Sequence, residues 1–559
     1  MNQRIHLDPK SLNAIDKAMA NRIHDQDPGA SVAVSFHGET VLAKAYGRAQ
    51  LEVPRALTIH SVLDAGSVMK TLTGLAIALL ENEGVLSGET RLRDVLPEFP
   101  DYGDALRMTH LLHHESGLRN YTVLLYYMAG WHEQAPPSPD DVYEAICCAG
   151  SLSFEPGTTY EYCDSNYFLL AQMIERVTQR RFGAFVEERI LTPLGLIDSA
   201  ILDYPPPQTE GWAEGYLRYP SELRSPYEYR TDTSSVTGFF PARLAYRHIG
   251  AEGWRTSAVD LLVLGRNLAE QSDVLSDAVR ERMVTVQRWR EDGFGYGHGL
   301  NIGTHRGMRY VGHSGEIQGF TTTLACLPDE ALTIACMTNR QDVCAWTLRD
   351  LVIDAFSGRR RSAKRGHKGL DSPPTALDEL VGFYLNPISA SFLEIIKTGD
   401  SFEVSFNAGA VLPLSGDGPW WTEDEIRIIR LPGSHDQPSL IVQMHDVASE
   451  YVAFSSQGEG EDFQVYEGTY TCEALNAVFV VSAAERGVRL TNVEPRRPSM
   501  NLFYSPTIRD FFWSQDPHPE LSQIQFLRGE GHVSAFIYRD YDGDRRESFQ
   551  FVKQDAECL

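Results

Sequence analysis

A serine and a lysine three residues apart, in Ser67-Val68-Met69-Lys70, open an unusually apolar run from Thr71 to Leu80. The run reads as a buried helix, and residues three apart share a helix face. A serine hydroxyl is a poor nucleophile until its proton is taken, and a desolvated lysine amine is a base able to take it. Ser-x-x-Lys is a pattern of serine acyl transfer. Two fixed residues in four also recur by chance, and an N-capping serine beside a surface lysine is the plain alternative. The motif gains weight only from its company elsewhere in the chain.

Three downstream features supply further chemistry. Tyr162-Cys163-Asp164-Ser165-Asn166-Tyr167 comes after Glu155-Pro156-Gly157 and opens a helical pattern. A tyrosine there shuttles protons to a leaving group if nearby positive charge lowers its pKa, and otherwise is a packing aromatic. His313-Ser314-Gly315 stands at the end of a strand signal and before Gly319-Phe320-Thr321. A small-residue edge strand can lie along an extended substrate and lend backbone N–H groups to an oxyanion hole; its plain alternative is a strand-end turn. Leu111-Leu112-His113-His114-Glu115-Ser116-Gly117-Leu118 holds two histidines with no third ligand at metal spacing, so a structural turn is favoured over a metal site.

The elements that must position these residues form two textures. Up to residue 357, helix and strand signals mix: a hairpin from Ser31–His37 and Val41–Tyr46, the Ser67 helix ending near Gly84, helices at Ser165–Gln179 and Ala258–Leu268, strands at Met308–Val311, Thr321–Leu327 and Leu332–Met337, and a last helix at Val343–Phe356. Tyr204–Tyr229, rich in proline and tyrosine, reads as cleft-forming loop. This is an α+β pattern, an antiparallel sheet flanked by helices with a helical insert. Next comes a basic, polar linker at 358–374, and then short alternating strands. The strand texture falls into two blocks of about 90 residues, 375–457 and 463–559, opening on Val381-Gly382-Phe383-Tyr384 and Glu467-Gly468-Thr469-Tyr470. Two small antiparallel β-barrels in tandem are the expectation.

Composition narrows the partners. The chain has 559 residues, enough for about three domains, with 42% hydrophobic and 23% charged residues. Its formal net charge of −26 argues against nucleic acid or an anionic membrane surface. The first residues lack the apolar core of a secretory signal, and no run reaches the length of a membrane span. The eight cysteines lack Cys-x-x-Cys or metal-like spacing. These features predict a cytoplasmic chain with no disulfide framework, no structural zinc and no cofactor.

The order of the three motifs resembles that of the penicillin-recognising serine hydrolases, in the branch that holds class C β-lactamases, D-alanyl-D-alanine carboxypeptidases, family VIII esterases and D-aminopeptidases. His110–Leu118, Phe154–Gly157, Tyr296-Gly297-His298-Gly299-Leu300 and Gly319-Phe320 support it, over roughly residues 10 to 357. The barrel tail, and a histidine in the third motif where many relatives carry lysine, look like the D-stereospecific aminopeptidases. The resemblance implies Ser67 as acylated nucleophile, Lys70 as its base and Tyr162 as proton shuttle. It places His313, Ser314 and Gly315 on the opposite wall, with the N–H of Ser67 and one from Ser314–Glu316 as oxyanion donors. Asp164 departs from the family's usual asparagine: an ionised aspartate only accepts hydrogen bonds, and it favours a protonated Lys70. The expectation is that Asp164 faces the cleft and holds a substrate ammonium, with Asn166 able to serve if the register slips. The resemblance also implies that a loop of the last barrel reaches the cleft, Ser514–Glu520 with Gln515 and Asp516 being favoured and Glu494–Pro498 the alternative. A small peptide, amide or ester is the expected partner, with a homodimer left open. An aminopeptidase or amidase releasing N-terminal D-amino acids leads the readings. An esterase, carboxypeptidase or β-lactamase of the same fold comes second, and a non-catalytic binding or assembly protein third.

Overall fold

The computed structural model describes residues 9–128, 137–202, 212–218, 239–242 and 249–357, apart from 271, 291–292 and 341–342. From 380 to 554 it describes the strands and the segment 462–467. The chain divides into two compact units with their main boundary at 362/363. The first unit begins with a helix, α1 (Pro9–Ala20), and a hairpin, β1 (Ala30–Phe36) and β2 (Glu39–Tyr46). Later come β3 (Leu63–Asp64), α2 (Met69–Asn82), α3 (Asp164–Thr178), β4 (Trp254–Thr256) and α4 (Ala258–Ala269). Strands β5 (Gly295–Tyr296), β6 (Asn301–His305), β7 (Met308–Ile317), β8 (Phe320–Leu327) and β9 (Leu332–Thr338) are next, and α5 (Ala345–Ser357) closes the unit.

Seven of these strands make one antiparallel sheet in the order β5-β6-β7-β8-β9-β1-β2. The two ends of the unit meet inside it, where β1 pairs with β9 in the register Val32↔Cys336. Strands β8 and β9 are buried along their whole length, which explains why their sequences do not alternate with polar residues. One face packs against α1 and α5 through Ile15, Met19, Leu348, Val352 and Phe356. Helix α4 covers the other, its Gly265 allowing an approach that an added Cβ would bring to within 2.6 Å of Leu324.

Strand β7 does not stop before His313, as its composition suggests. It runs to Ile317, because every residue from Val311 on finds a partner on β8, including Gly315 opposite Thr322. Within the 204–229 stretch, Tyr216–Arg218 is a short strand paired with Phe239–Pro241. The basic stretch at 358–374 lies outside the described residues.

In the second unit, two sets of eight antiparallel strands each close into a barrel, by pairing of Gly382–Leu385 with Val447–Phe454 and of Gly468–Cys472 with Glu547–Lys553. The repeated Gly-x-Tyr openings share a detail. The Tyr384 hydroxyl donates to the Leu380 carbonyl at 3.0 Å, and the Tyr470 hydroxyl to the Tyr466 carbonyl at 2.8 Å. Among the described residues, no helix is long and apolar enough to cross a membrane.

Leu348 is fully buried between α5 and the sheet. Leu348→Ala is expected to destabilise the unit by about 2–5 kcal/mol, read as a lower midpoint of urea unfolding followed by near-UV circular dichroism.

Candidate active site

Ser67 sits in a short 3-10 turn, Gly66–Val68, that leads directly into α2. Helix α2 is buried on every side from Met69 to Ala78, so it is a central helix rather than an amphipathic surface one. Lys70 therefore points into the interior with no exposed surface. Its Nζ donates to the Ser67 Oγ at 2.9 Å and to the Ala251 carbonyl at 3.2 Å, and lies 2.7 Å from the Asp164 Oδ1. The two hydrogen bonds and the ion pair give the buried amine two acceptors and a partner of opposite charge. The Tyr162 ring lies against the same group, its centroid 4.8 Å from Nζ.

The turn that carries Ser67 is held from below. Gly66 has φ +50° and its N–H donates to the buried Asp64 Oδ1 at 2.9 Å. Asp64 in turn pairs with the buried Arg255 of β4, Nε to Oδ2 at 3.2 Å, and its carbonyl accepts from the Thr322 hydroxyl of β8. The Arg255 guanidinium stacks over Phe320. Strand β7 then closes on the turn with no side chain between. An added Cβ at Gly315 would stand 2.1 Å from the Ala65 carbonyl oxygen and 2.9 Å from the Ser67 nitrogen. One at Gly66 would stand 3.0 Å from the Glu316 nitrogen.

Asp164 is the first residue of α3, where the helix dipole favours a carboxylate. The register is fixed by its neighbours. Asn166 is fully buried away from Lys70, receiving the Ser116 hydroxyl at 2.6 Å on Oδ1 and placing Nδ2 3.0 Å from the His114 Nδ1. The Cys163 N–H donates to the same His114 nitrogen at 3.1 Å, so Nδ1 is an acceptor and the ring proton is on Nε2. The Ser165 hydroxyl receives the Tyr121 N–H and donates to the Arg119 carbonyl. The His113–Leu118 stretch is thus a turn, with positive φ at His114 and Gly117, whose polar atoms hold the Tyr162–Asn166 segment in place. The acid expected to meet a substrate ammonium has one oxygen on Lys70, and its side chain is only 7% exposed.

His313 lies in the middle of β7, buried, with Nδ1 2.7 Å from the Ser314 carbonyl oxygen and Nε2 2.8 Å from the Tyr296 hydroxyl. A carbonyl only accepts, so Nδ1 carries the proton and Nε2 accepts from the tyrosine. Burial, with the Lys70 charge adding to it, holds the imidazole pKa down to about 3 and the ring neutral. Tyr296, Tyr162 and His114 pack around it as an aromatic wall. The Ser314 hydroxyl faces Thr323 at 3.1 Å across the strands.

The structure thus gathers Ser67, Lys70, Tyr162, Asp164, His313 and Gly315 about one point, with Ser314 between the last two on β7. Gln515 and Asp516, and the alternative loop 494–498, lie outside the described residues. Among the described residues, no cluster of three His, Cys, Asp or Glu side chains is placed to hold a metal ion. Four participants carry little sequence signal. Ala251 contributes a backbone carbonyl. Tyr296 belongs to a motif that suggested no chemical task. Asp64 and Arg255 are single charges 191 positions apart, though an aspartate inside the otherwise apolar Val62-Leu63-Asp64-Ala65-Gly66 is a visible oddity.

The beta-lactamase family profile matches residues 13–352. The chain is 26% identical over 325 residues to penicillin-binding protein 4* of Bacillus subtilis, covering 56% of this chain and 68% of that one. It is 24% identical over 400 residues to a D-aminopeptidase of Cereibacter sphaeroides, covering 71% of each. Its fold is similar to that of the D-amino acid amidase from Ochrobactrum anthropi SV3, with a TM-score of 0.53 at 18% identity, covering 62% of this chain and 99% of that one. The chain belongs to the beta-lactamase family and is a serine hydrolase of the peptidase and amidase kind.

Proposed function

We propose that the chain releases N-terminal D-amino acids from small peptides or amides through an acyl-enzyme on Ser67. The observation that carries the reading is the buried Lys70 Nζ, 2.9 Å from the Ser67 Oγ and one helical turn away. An amine so placed activates the hydroxyl, and a nucleophile at the entry to a buried helix also benefits from the positive helix terminus. The carbonyl oxygen of the substrate sits between the N–H groups of Ser67 and Glu316, which adjoin through the glycine contacts at 66 and 315. Tyr162, with its ring on the lysine charge, passes a proton to the leaving amine. His313 is a neutral wall, so it offers no cation to a substrate carboxylate on that side.

The substrate class is supported by the D-aminopeptidases among the relatives and by the D-amino acid amidase among the structural neighbours. The penicillin-binding relative supports a β-lactam reading, but Asp164 opposes it: an ionised carboxylate cannot donate to a lactam carbonyl. The proposed organisation keeps the hydrolase domain at 1–357, with a linker at 358–374 and barrel domains at 375–457 and 463–559.

Incubation with D- and L-alanine p-nitroanilide and with p-nitrophenyl acetate tests the reading. Faster release from the D-anilide than from the L-anilide is expected, with one covalent adduct on the Ser67 peptide by intact mass and peptide mapping. An adduct that persists in Ser67→Ala removes the nucleophile assignment, and equal use of the two anilides removes the D-preference. Gly315→Val is expected to lower acylation by about 10²-fold or more, because its side chain would occupy the space of the Ala65 carbonyl and push β7 off the Ser67 turn. The rate of p-nitrophenol release measures it, with the thermal midpoint as a check on folding.

A further inference from the structure

We propose that Asp164 is the terminal proton acceptor of the acylation step, taking a proton from Lys70 so that the lysine can take the one from Ser67. The inference deepens the reading of Ser67 as nucleophile and rests on it. A lysine that acts as a free base must begin as a neutral amine. Here it is fully buried, 2.7 Å from a carboxyl oxygen of Asp164, with N–H bonds donated to the Ser67 Oγ and the Ala251 carbonyl. A lysine that began as a neutral amine would leave the Asp164 carboxylate as an uncompensated buried charge.

The charge balance favours the relay. With Asp164 ionised and Lys70 protonated, the pair is neutral before attack. A proton passes first from Lys70 Nζ to Asp164 Oδ1, and the amine turns its freed lone pair to Ser67; as the Ser67 oxygen bonds to the substrate carbonyl carbon, its proton then passes to Nζ. The carbonyl π bond becomes the oxyanion. The site then holds a neutral carboxylic acid, an ammonium and the oxyanion, again neutral overall. The free-base route instead carries one net negative charge through a buried site, beside the oxyanion it has to stabilise. When the tetrahedral intermediate collapses, the leaving nitrogen takes a proton from Lys70, which takes the one held by Asp164, and the pair is restored.

The titratable groups facing the pair do not replace Asp164. Tyr162 presents its ring to Lys70, and His313 on β7 has its Nε2 lone pair occupied by the Tyr296 hydroxyl. Asn166, the amide two residues on, is turned away into the His114 and Ser116 network.

The two routes predict opposite effects of one substitution. The test compares the full chain with Asp164→Asn and Asp164→Glu, using p-nitrophenyl acetate and D-alanine p-nitroanilide from about pH 6 to 9, with kcat/KM for chromophore release as the measure of acylation. With the relay, the natural enzyme has a nearly flat profile across this range. Asp164→Asn is then slower by about 10²-fold at neutral pH and its rate climbs with pH, since it must wait for a neutral lysine. Asp164→Glu recovers part of the rate and the flat profile. Overturning results are an Asp164→Asn enzyme as fast as or faster than the natural one at neutral pH, a slower one with an unchanged pH profile, or a natural enzyme whose rate rises about tenfold per pH unit. The acetate ester keeps this test independent of the D-amino acid preference. A Ser67→Ala variant that still forms the adduct would defeat the nucleophile assignment instead, whatever Asp164 does.

Discussion

The site is organised around an ammonium group with no access to water. Removing a charged amine from solvent costs several kcal/mol unless hydrogen bonds and an opposite charge compensate it. Lys70 is met by hydrogen bonds to a hydroxyl from the turn before its own helix and a carbonyl from residue 251, and by the charge of a carboxyl from the start of α3. Each comes from a different part of the chain, so the three segments must be brought to one point before the lysine can be buried. The polar network behind Asp164 arises from the same demand. His114, Ser116, Asn166 and Ser165 spend their hydrogen bonds on fixing one another, and they leave the carboxylate aimed at the lysine.

A second ion pair repeats the principle at the other side of the nucleophile. Asp64 and Arg255 are also nearly sealed from solvent, and their task is mechanical. The Asp64 carboxylate takes the Gly66 N–H, and its backbone carbonyl takes the Thr322 hydroxyl. The serine turn is thereby tied to the short β3–β4 pair and to the main sheet at once. Charges this deep contribute position more surely than net stability.

Much of this was legible in the sequence, and the reasons for the rest are specific. Ser67 and Lys70 stood out because their spacing fits a helix and because the run after them is too apolar for a surface. Helix α3 was readable to within a residue at each end. Strand β7 was read too short, since His313-Ser314-Gly315-Glu316 has no hydrophobic alternation and owes its extended form to cross-strand pairing with β8. The motif puts Asp164 in register with Tyr162, with Asn166 able to serve only if the register slips, and the tertiary contacts that separate the two leave no local sequence signal. The Asp64–Arg255 pair and the Ala251 carbonyl left almost no trace, as nothing local marks two distant charges or a backbone oxygen as partners. In the tail, the paired glycine–tyrosine openings marked the repeat correctly, while strands such as Val411–Ser415 and Trp420–Thr422 are too short or too irregular to announce themselves.

The contact of Gly66 with Glu316, and of Gly315 with Ala65 and Ser67, has a consequence for how such an enzyme diversifies. Two backbones that touch without side chains behave as one solid piece: neither can shift without displacing the other. Mutation can reach that piece only by breaking it. A change of substrate preference that keeps the nucleophile in place is therefore confined to the surfaces that frame the cleft, where residues can change size and charge without disturbing the interlocked backbone.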